Sequence, residues 1–280
     1  ALLRNPLCAA LERLVIGALH SPSNHLLVPR VIAEAATQAW AADLVSLEIG
    51  ACASDPDWQW YMTSYNAGEL GGAISNAFPK LRELAVWTNL THGHVTTRIA
   101  NLALPELRSL ALRGRMDADR IGQLGTLKAP LLERLEVWGT PDLAPDPGTL
   151  RPHHLTPYLE RFPHLQHLGI VNARHVLELV EAVPQWPIAR RLRTLDFSIS
   201  ALNQQAADRL IATRAAYPAI EELVLDKCLV PPAALRQLRA VYPKVTGTPF
   251  VAAYLGIEPL ETPAPYRGRG AGSNHHDPEW

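Results

Sequence analysis

Histidine is the residue type in this chain with the widest chemical potential, because imidazole binds metal ions and transfers protons near neutral pH. The chain has 11 histidines, and three close groups stand out: His92 with His94, His153 with His154, and His164 with His167. Strand residues three apart, or adjacent, point to different faces, whereas a closed zinc site needs three or four convergent ligands. The spacing therefore predicts no metal site and no cofactor. A divergent metal-dependent or hydrolytic enzyme using these histidines stays open as the second hypothesis.

Nucleophile and phosphate motifs are weak. The three cysteines, Cys8, Cys52 and Cys228, are odd in number and far apart. This usage suits neither a disulfide framework nor a zinc site, and it favours a reducing cytoplasm. There is no Gly-x-Ser-x-Gly elbow and no phosphate loop ending in Gly-Lys-Ser or Gly-Lys-Thr. We therefore expect a protein that is not an enzyme.

Composition limits the kinds of partner. Apolar residues make up 48% and charged residues 19% of the chain, which is the range of folded globular proteins. Because 26 basic residues balance 27 acidic ones, no long-range field favours the phosphates of a nucleic acid. No segment has the ~18 uninterrupted apolar residues of a membrane span. We expect a cytoplasmic protein with a protein partner, and neither a nucleic acid nor a membrane.

The elements that must position these residues come from an internal repeat. Seven segments carry Leu or Ile at the first position, Leu at the fourth and an apolar residue at the sixth; they begin at residues 44, 81, 107, 132, 165, 192 and 220. A weaker match at 11–16 fits either a further repeat or part of an N-terminal capping helix. In each repeat, the three apolar positions point into a core shared with the neighbouring repeats, and the residues between them point outward.

Prolines support this register. Pro79, Pro105, Pro130, Pro163 and Pro218 each stand two residues before the first repeat position, and Pro243 marks a final truncated copy. Since proline disfavours helix in the residue before it, each one can end a helix just before a strand. Segments such as 174–183 and 204–217 have helical spacing of apolar residues. The sequence predicts an α/β solenoid over residues 1–248, of which 1–43 form a cap or first repeat, followed by a cap and an extended Pro/Gly-rich tail at 249–280.

These repeats resemble those of bacterial cytosolic leucine-rich-repeat proteins with ribonuclease-inhibitor-like units. The resemblance implies a right-handed horseshoe of seven or eight repeats, with a concave parallel sheet and convex helices, that binds proteins and has no activity of its own. In that family the ninth repeat position is usually Asn or Cys. Here only three of seven comply, at Cys52, Asn89 and Cys228, so we expect less regular turns.

One surface row of the predicted concave face stands out. The seventh repeat position places Trp87, Arg113 and Trp138 on three successive strands, about 4.8 Å apart, with Arg113 expected between the two indoles. Arginine and tryptophan are the residues most enriched in binding hot spots. Two interpretations stay open: an exposed anchor for a partner, or strand-end tryptophans packed against their own loops. Trp58 and Trp60, in the longest insertion, either extend this surface or cover it.

Further outward positions complete the candidate binding face. The third and fifth positions add Arg134, Glu136 and His167 beside the tryptophan row. Asp196, Glu222 and Asp226 make the C-terminal end of the sheet acidic, which fits either a seat for a basic partner segment or ordinary solvated carboxylates. The tail, which contains Trp280, could dock on its own solenoid or mediate self-association.

Overall fold

The computed structural model describes residues 8, 10–17, 27–51, 69–87, 98–114, 118–139, 150–228 and 230–247. Within these residues the strands form one parallel sheet in which spatial order follows chain order. The strands are Arg13–Gly17 (β1), Ser46–Ala51 (β2), Glu83–Trp87 (β3), Ser109–Arg113 (β4), Arg134–Trp138 (β5), His167–Val171 (β6), Thr194–Asp196 (β7), Glu222–Val224 (β8) and Val245–Thr246 (β9).

Each predicted repeat contributes one strand, and the register is that of the sequence alignment. The leucines at the fourth position pair from strand to strand without a slip: Leu47, Leu84, Leu110, Leu135, Leu168, Leu195 and Leu223. These leucines and the residues at the first and sixth positions are buried in one continuous core. The weak match at 11–16 forms strand β1, so it is a repeat rather than a capping helix. The truncated copy after Pro243 forms β9.

Helices pack against the apolar face of the sheet. They are Leu27–Ala36 (α1), Gly71–Ala77 (α2), Ala118–Gly122 (α3), Pro152–Leu159 (α4), Val176–Ala182 (α5), Gln204–Ala212 (α6) and Pro232–Val241 (α7), with short 3-10 turns between some of them. The predicted role of the prolines is confirmed where a helix precedes them: α2, α4 and α7 end before Pro79, Pro163 and Pro243. At the start of α6, the Asn203 side chain accepts a hydrogen bond from the Ala206 amide.

Packing distances give the sheet its curvature. Neighbouring strands lie about 4.8 Å apart, whereas packed helices need about 8–10 Å. The layer of strands is therefore shorter than the layer of helices, and the sheet lines the concave side of a leucine-rich-repeat solenoid. In the described part of the chain, no helix has the length and apolarity needed to cross a bilayer.

The turns after the strands use several devices in place of a uniform Asn or Cys. Asn172, Ile199 and Lys227 follow their strands at φ of 57°, 61° and 55°. The hydroxyl of Ser200, at the ninth position, accepts from the Ala173 amide at 2.9 Å and bridges two repeats. Cys228, also at the ninth position, is buried and donates its thiol proton to the Phe197 carbonyl. At Ser200 and Cys228, the described ninth positions with polar side chains, the residue type differs and a bridge between repeats is kept.

Candidate functional site

Three rows of outward side chains cross the concave face. We define the first, second and third rows as the third, fifth and seventh repeat positions, so that on β4 they are Ser109, Ala111 and Arg113. Small residues occupy three of the fifth positions in the seven predicted repeats, Ala85 on β3, Ala111 on β4 and Gly169 on β6, and they lie beside the longer side chains of Glu48 and Glu136. A methyl group added at Gly169 would lie 3.2 Å from the Cγ atom of Glu136. These small side chains therefore leave space above the middle of the concave face for long side chains from neighbouring positions.

A chain of charges fills this space. Arg113 turns back from the third row, and its Nε donates to Glu136 Oε1 at 2.8 Å, while its Nη1 lies 3.7 Å from Glu48 Oε1. Glu48 also pairs with Arg13 on β1 at 3.1 Å. The side chains of Glu48, Arg113 and Glu136 are only 17%, 28% and 23% exposed, so these pairs are better shielded than ordinary surface salt bridges.

The two tryptophans contact each other above this network. The ring centroids of Trp87 and Trp138 are 5.4 Å apart with an interplanar angle of 63°, which is an edge-to-face contact. Arg113 lies with its Cζ 5.1 Å from the centroid of the Trp87 ring. The expectation that Arg113 separates the two indoles is wrong in this detail. Its strand lies between theirs, but its guanidinium pairs with Glu48 and Glu136, and the two rings contact each other directly.

Each indole is also held by a hydrogen bond. Trp87 Nε1 donates to Glu48 Oε1 at 3.1 Å, and Trp138 Nε1 donates to Glu136 Oε1 at 2.6 Å. Both tryptophans are half-buried. We call Glu48, Trp87, Arg113, Glu136 and Trp138 the indole cluster. It presents partly exposed aromatic surface in a conformation fixed by charge-assisted hydrogen bonds.

Two members of this arrangement had weaker sequence signals. Glu48 was visible only as one of many outward positions, and Arg13 belongs to the weakest repeat. Both become identifiable once β1 and β2 are aligned with the other strands, since Arg13 pairs in register with Ser46 and Val15 with Glu48. Trp58 and Trp60, which were predicted to extend or cover the tryptophan row, lie outside the described residues.

The first row borders an open groove of about 240 Å³. Its lining includes Ser46, Glu83, Ser109, Arg134 and His167, which lie on five successive strands. Burial, reinforced by the positive charge of Arg134, lowers the pKa of His167 from 6.5 to about 4. At neutral pH the His167 ring is therefore uncharged, and the groove carries hydrogen-bonding groups on both sides of Ser109.

Glu222 and Asp196, two carboxylates at the acidic end of the sheet, are engaged by neighbouring groups. Glu222 pairs with Lys244 at 2.8 Å and also accepts from the Thr246 hydroxyl, and these contacts lower its pKa. Asp196 accepts from the Ser198 amide at 2.7 Å, and burial raises its pKa. Asp226, at the seventh repeat position in the turn after β8, is half-buried. This geometry favours structural carboxylates over a strongly acidic seat for a basic segment.

Four of the described histidine and cysteine residues have structural contacts or surroundings: His153, His154, His175 and Cys228. The His153 and His154 rings are 4.1 Å apart, and His154 Nδ1 accepts from the Arg151 amide, while His175 pairs with Glu178. Over the described ranges, no three His, Cys, Asp or Glu side chains are placed to share a metal ion. Burial raises the pKa of the Cys228 thiol to about 12, so it is not an activated nucleophile. His92, His94 and Cys52 lie outside the described residues.

Comparisons with known proteins bear on the fold. No protein-family model matches the sequence, and no curated protein matches it. The chain is similar to the crystal structure of a protein from Bacteroides fragilis, with a TM-score of 0.73 and 20% identity over 87% of this chain and 67% of that one. LegL7, a leucine-rich-repeat-containing protein from Legionella pneumophila, matches with a TM-score of 0.38 and 13% identity over 85% of this chain and 90% of that one. An internalin (InlF) from Listeria monocytogenes matches with a TM-score of 0.28 and 14% identity over 74% and 67%.

Proposed function

We propose that this chain is a protein-binding module, a scaffold or recognition subunit of the bacterial cytoplasm, which captures its partner on the concave face. The observation that carries the proposal is the indole cluster: two half-buried tryptophans in edge-to-face contact, held in place by Glu48, Arg113 and Glu136. Leucine-rich-repeat solenoids serve in general as protein-interaction modules, which fits this use of the fold.

The order within the cluster favours binding. A tryptophan that is free to rotate loses side-chain entropy when a partner fixes it, at a cost of about 0.5–1.5 kcal/mol. The hydrogen bonds to Glu48 and Glu136 already restrict the two indoles in the unbound protein, so less side-chain entropy is lost on binding. Tryptophan and arginine also dominate the energetics of binding hot spots, where a partner excludes water from a small central patch.

The surrounding residues would form the edge of the contact. Arg134 and His167 lie beside the cluster in the first row, and Asp196 and Asp226 lie further along the sheet. Arg134, Asp196 and Asp226 would select a partner by charge more than they would add affinity, and His167 would contribute hydrogen bonding. Trp58 and Trp60 would extend the aromatic surface. The near-zero net charge fits a protein partner better than a nucleic acid, and the tail at 249–280 offers a route to self-association.

Affinity purification from the organism of origin, read by quantitative mass spectrometry, tests the proposal. The bait is the full chain, compared with Trp138→Ala and with Val241→Ala, a matched apolar truncation on α7 at the opposite side of the solenoid, where Val241 is 37% exposed. We expect at least one protein to be retained by the wild type and by Val241→Ala and to fall at least about tenfold for Trp138→Ala, as for a hot-spot residue worth over 1.4 kcal/mol.

Folding of each bait is checked by far-UV circular dichroism. Trp138→Phe, which keeps an aromatic ring and loses the Nε1–H donor, serves as a second variant if the alanine variant is poorly folded. Equal retention of every captured protein by the wild type and the folded tryptophan variants would contradict binding through this cluster.

A further inference from the structure

The first row of the concave face holds polar groups that the fold does not use. The side chains of Ser109, Arg134 and His167 are in register on β4, β5 and β6, and all three line the groove. Within the described part of the chain, no ion pair or side-chain hydrogen bond engages any of them. By contrast, Arg13 and Arg113 in the same groove are paired with Glu48 and Glu136.

The imidazole of His167 can donate a hydrogen bond from a defined ring nitrogen. Its Nδ1 is buried without a hydrogen-bond partner, and its surroundings keep the ring neutral. A buried lone pair costs less to leave unpaired than a buried N–H, so the ring proton belongs on Nε2. The imidazole therefore offers the groove an N–H donor without a charge.

These three side chains form a row of donors centred on one positive charge. Ser109 offers a hydroxyl, Arg134 a planar fork of N–H groups, and His167 a neutral N–H, with adjacent strands about 4.8 Å apart. The guanidinium fork matches the two oxygens of a carboxylate. Arg13 and Arg113 in the groove lining are already paired with Glu48 and Glu136, so among the described residues Arg134 is the lining cation that has no ion-pair partner. A single carboxylate matches this one charge, whereas a dianion such as a phosphate would bring a second negative charge into a groove that also contains Glu83.

Resting on the proposed function, we infer that Ser109, Arg134 and His167 form a carboxylate seat that receives an Asp or Glu side chain of the protein partner. Glu83 lies in register with Ser109 on the neighbouring strand β3, two strands and roughly 10 Å from Arg134. Its exposed carboxylate would favour a basic residue close to the acidic one in the partner. The seat thus selects a partner segment that carries both charges over one that is uniformly acidic.

Capped peptides test this seat without knowledge of the partner. The probes are acetyl-Gly-Asp-Gly-Lys-Gly-amide, the same peptide with Asn or phosphoserine in place of Asp, and sodium acetate. Binding at pH 7 is followed by two-dimensional NMR of the labelled full chain. The signals read are the ring Cε1–H of His167 and the Nε–H of Arg134, assigned with His167→Asn and Arg134→Gln.

We expect the Asp peptide to shift both signals saturably and to bind at least about tenfold more tightly than the Asn peptide, as for a lost charge-assisted hydrogen bond. Arg134→Gln should weaken the Asp peptide by a similar factor. Arg236→Gln, which removes another exposed arginine on α7, should leave it unchanged. Equal binding of the Asp and Asn peptides, or equal effects of the two arginine variants, would overturn the inference.

The phosphoserine peptide and acetate show which anion the seat prefers and whether it requires a peptide. Tighter binding of the phosphoserine peptide would overturn the choice of a carboxylate, and equal binding of acetate would overturn the assignment to a protein segment. In the affinity purification, a partner lost by Trp138→Ala but retained by Arg134→Gln would refute the carboxylate seat and leave the proposed function intact. If the Asp peptide binds but no captured protein depends on Trp138, the carboxylate seat would be supported and the proposed function would be refuted.

Discussion

The contact between Trp87 and Trp138 can be measured as a coupling free energy. Replacing Trp138 with alanine removes the edge-to-face contact, the hydrogen bond to Glu136 and the buried half of the ring. A tryptophan buries about 150–250 Å² when enclosed, so about half of this area at 25 cal/mol per Å² corresponds to about 2–3 kcal/mol, which the compactness of the unfolded chain lowers to roughly 1–3 kcal/mol. With a net hydrogen bond of about 1 kcal/mol, we expect a loss of roughly 2–4 kcal/mol, which overlaps only the lower part of the range of about 3–5 kcal/mol for a core tryptophan.

A double-mutant cycle isolates the pair. Trp87 and Trp138 bind different carboxylates, Glu48 and Glu136, so the loss of those hydrogen bonds cancels between the single and double alanine variants. What remains is the ring contact together with any coupling transmitted by Arg113, which contacts both carboxylates, and we expect a total of about 0.5–1.5 kcal/mol. Guanidinium unfolding is followed by far-UV circular dichroism, because tryptophan fluorescence would change with the residues replaced.

Trp138→Phe is the matched control, since it removes the Nε1–H donor and keeps a ring edge facing Trp87. It should retain part of the coupling that Trp138→Ala loses. A coupling indistinguishable from zero would refute the contact between the rings. A loss above 4 kcal/mol for Trp138→Ala alone, which exceeds the roughly 2–4 kcal/mol expected of a half-buried ring, would show that the indole is a core residue and would remove the main support for the proposed function.

Three further predictions follow from burial. Leu110→Ala should lower the free energy of unfolding by about 2–5 kcal/mol, whereas Leu131→Ala, at a side chain that is 37% exposed, should lower it by less than about 1 kcal/mol. Denaturant unfolding measures both values, and a larger loss for Leu131→Ala than for Leu110→Ala would contradict the burial of Leu110. Folding lowers the pKa of His167 from 6.5 to about 4, so between these pH values the unfolded chain binds one more proton than the folded chain. The contribution of His167 to the free energy of unfolding should therefore be fully present above pH 6.5 and should fall as pH drops towards 4, by at most about 1.4 kcal/mol per pH unit. The variant His167→Asn should show a flatter dependence of stability on pH over this range. Burial raises the pKa of the Cys228 thiol to about 12, so iodoacetamide at pH 8 should alkylate it only after unfolding; mass spectrometry showing labelled native Cys228 would contradict its burial.

Repeat periodicity was enough to predict the backbone of this protein. Leu84, Leu110, Leu135 and Leu168 lie in one row because successive strand residues alternate between faces, so a one-residue slip would expose the whole apolar set. The prolines before the strands carry equally local information, since they act on the residue beside them. The weak match at 11–16 fits a repeat or a capping helix from sequence alone, and the pairing of β1 with β2 identifies it as a repeat.

Side-chain placement on the concave face needed the tertiary structure. The sequence located Trp87, Arg113 and Trp138 on successive strands, but the contacts of Arg113 depend on Glu48, which is 65 positions away in the chain, and on the small floor at Ala85 and Ala111. A long side chain has several rotamers of similar energy, and its neighbours across the strands select among them. Repeat position determines which face a residue occupies, whereas charge pairing and free space on that face determine where its functional atoms lie.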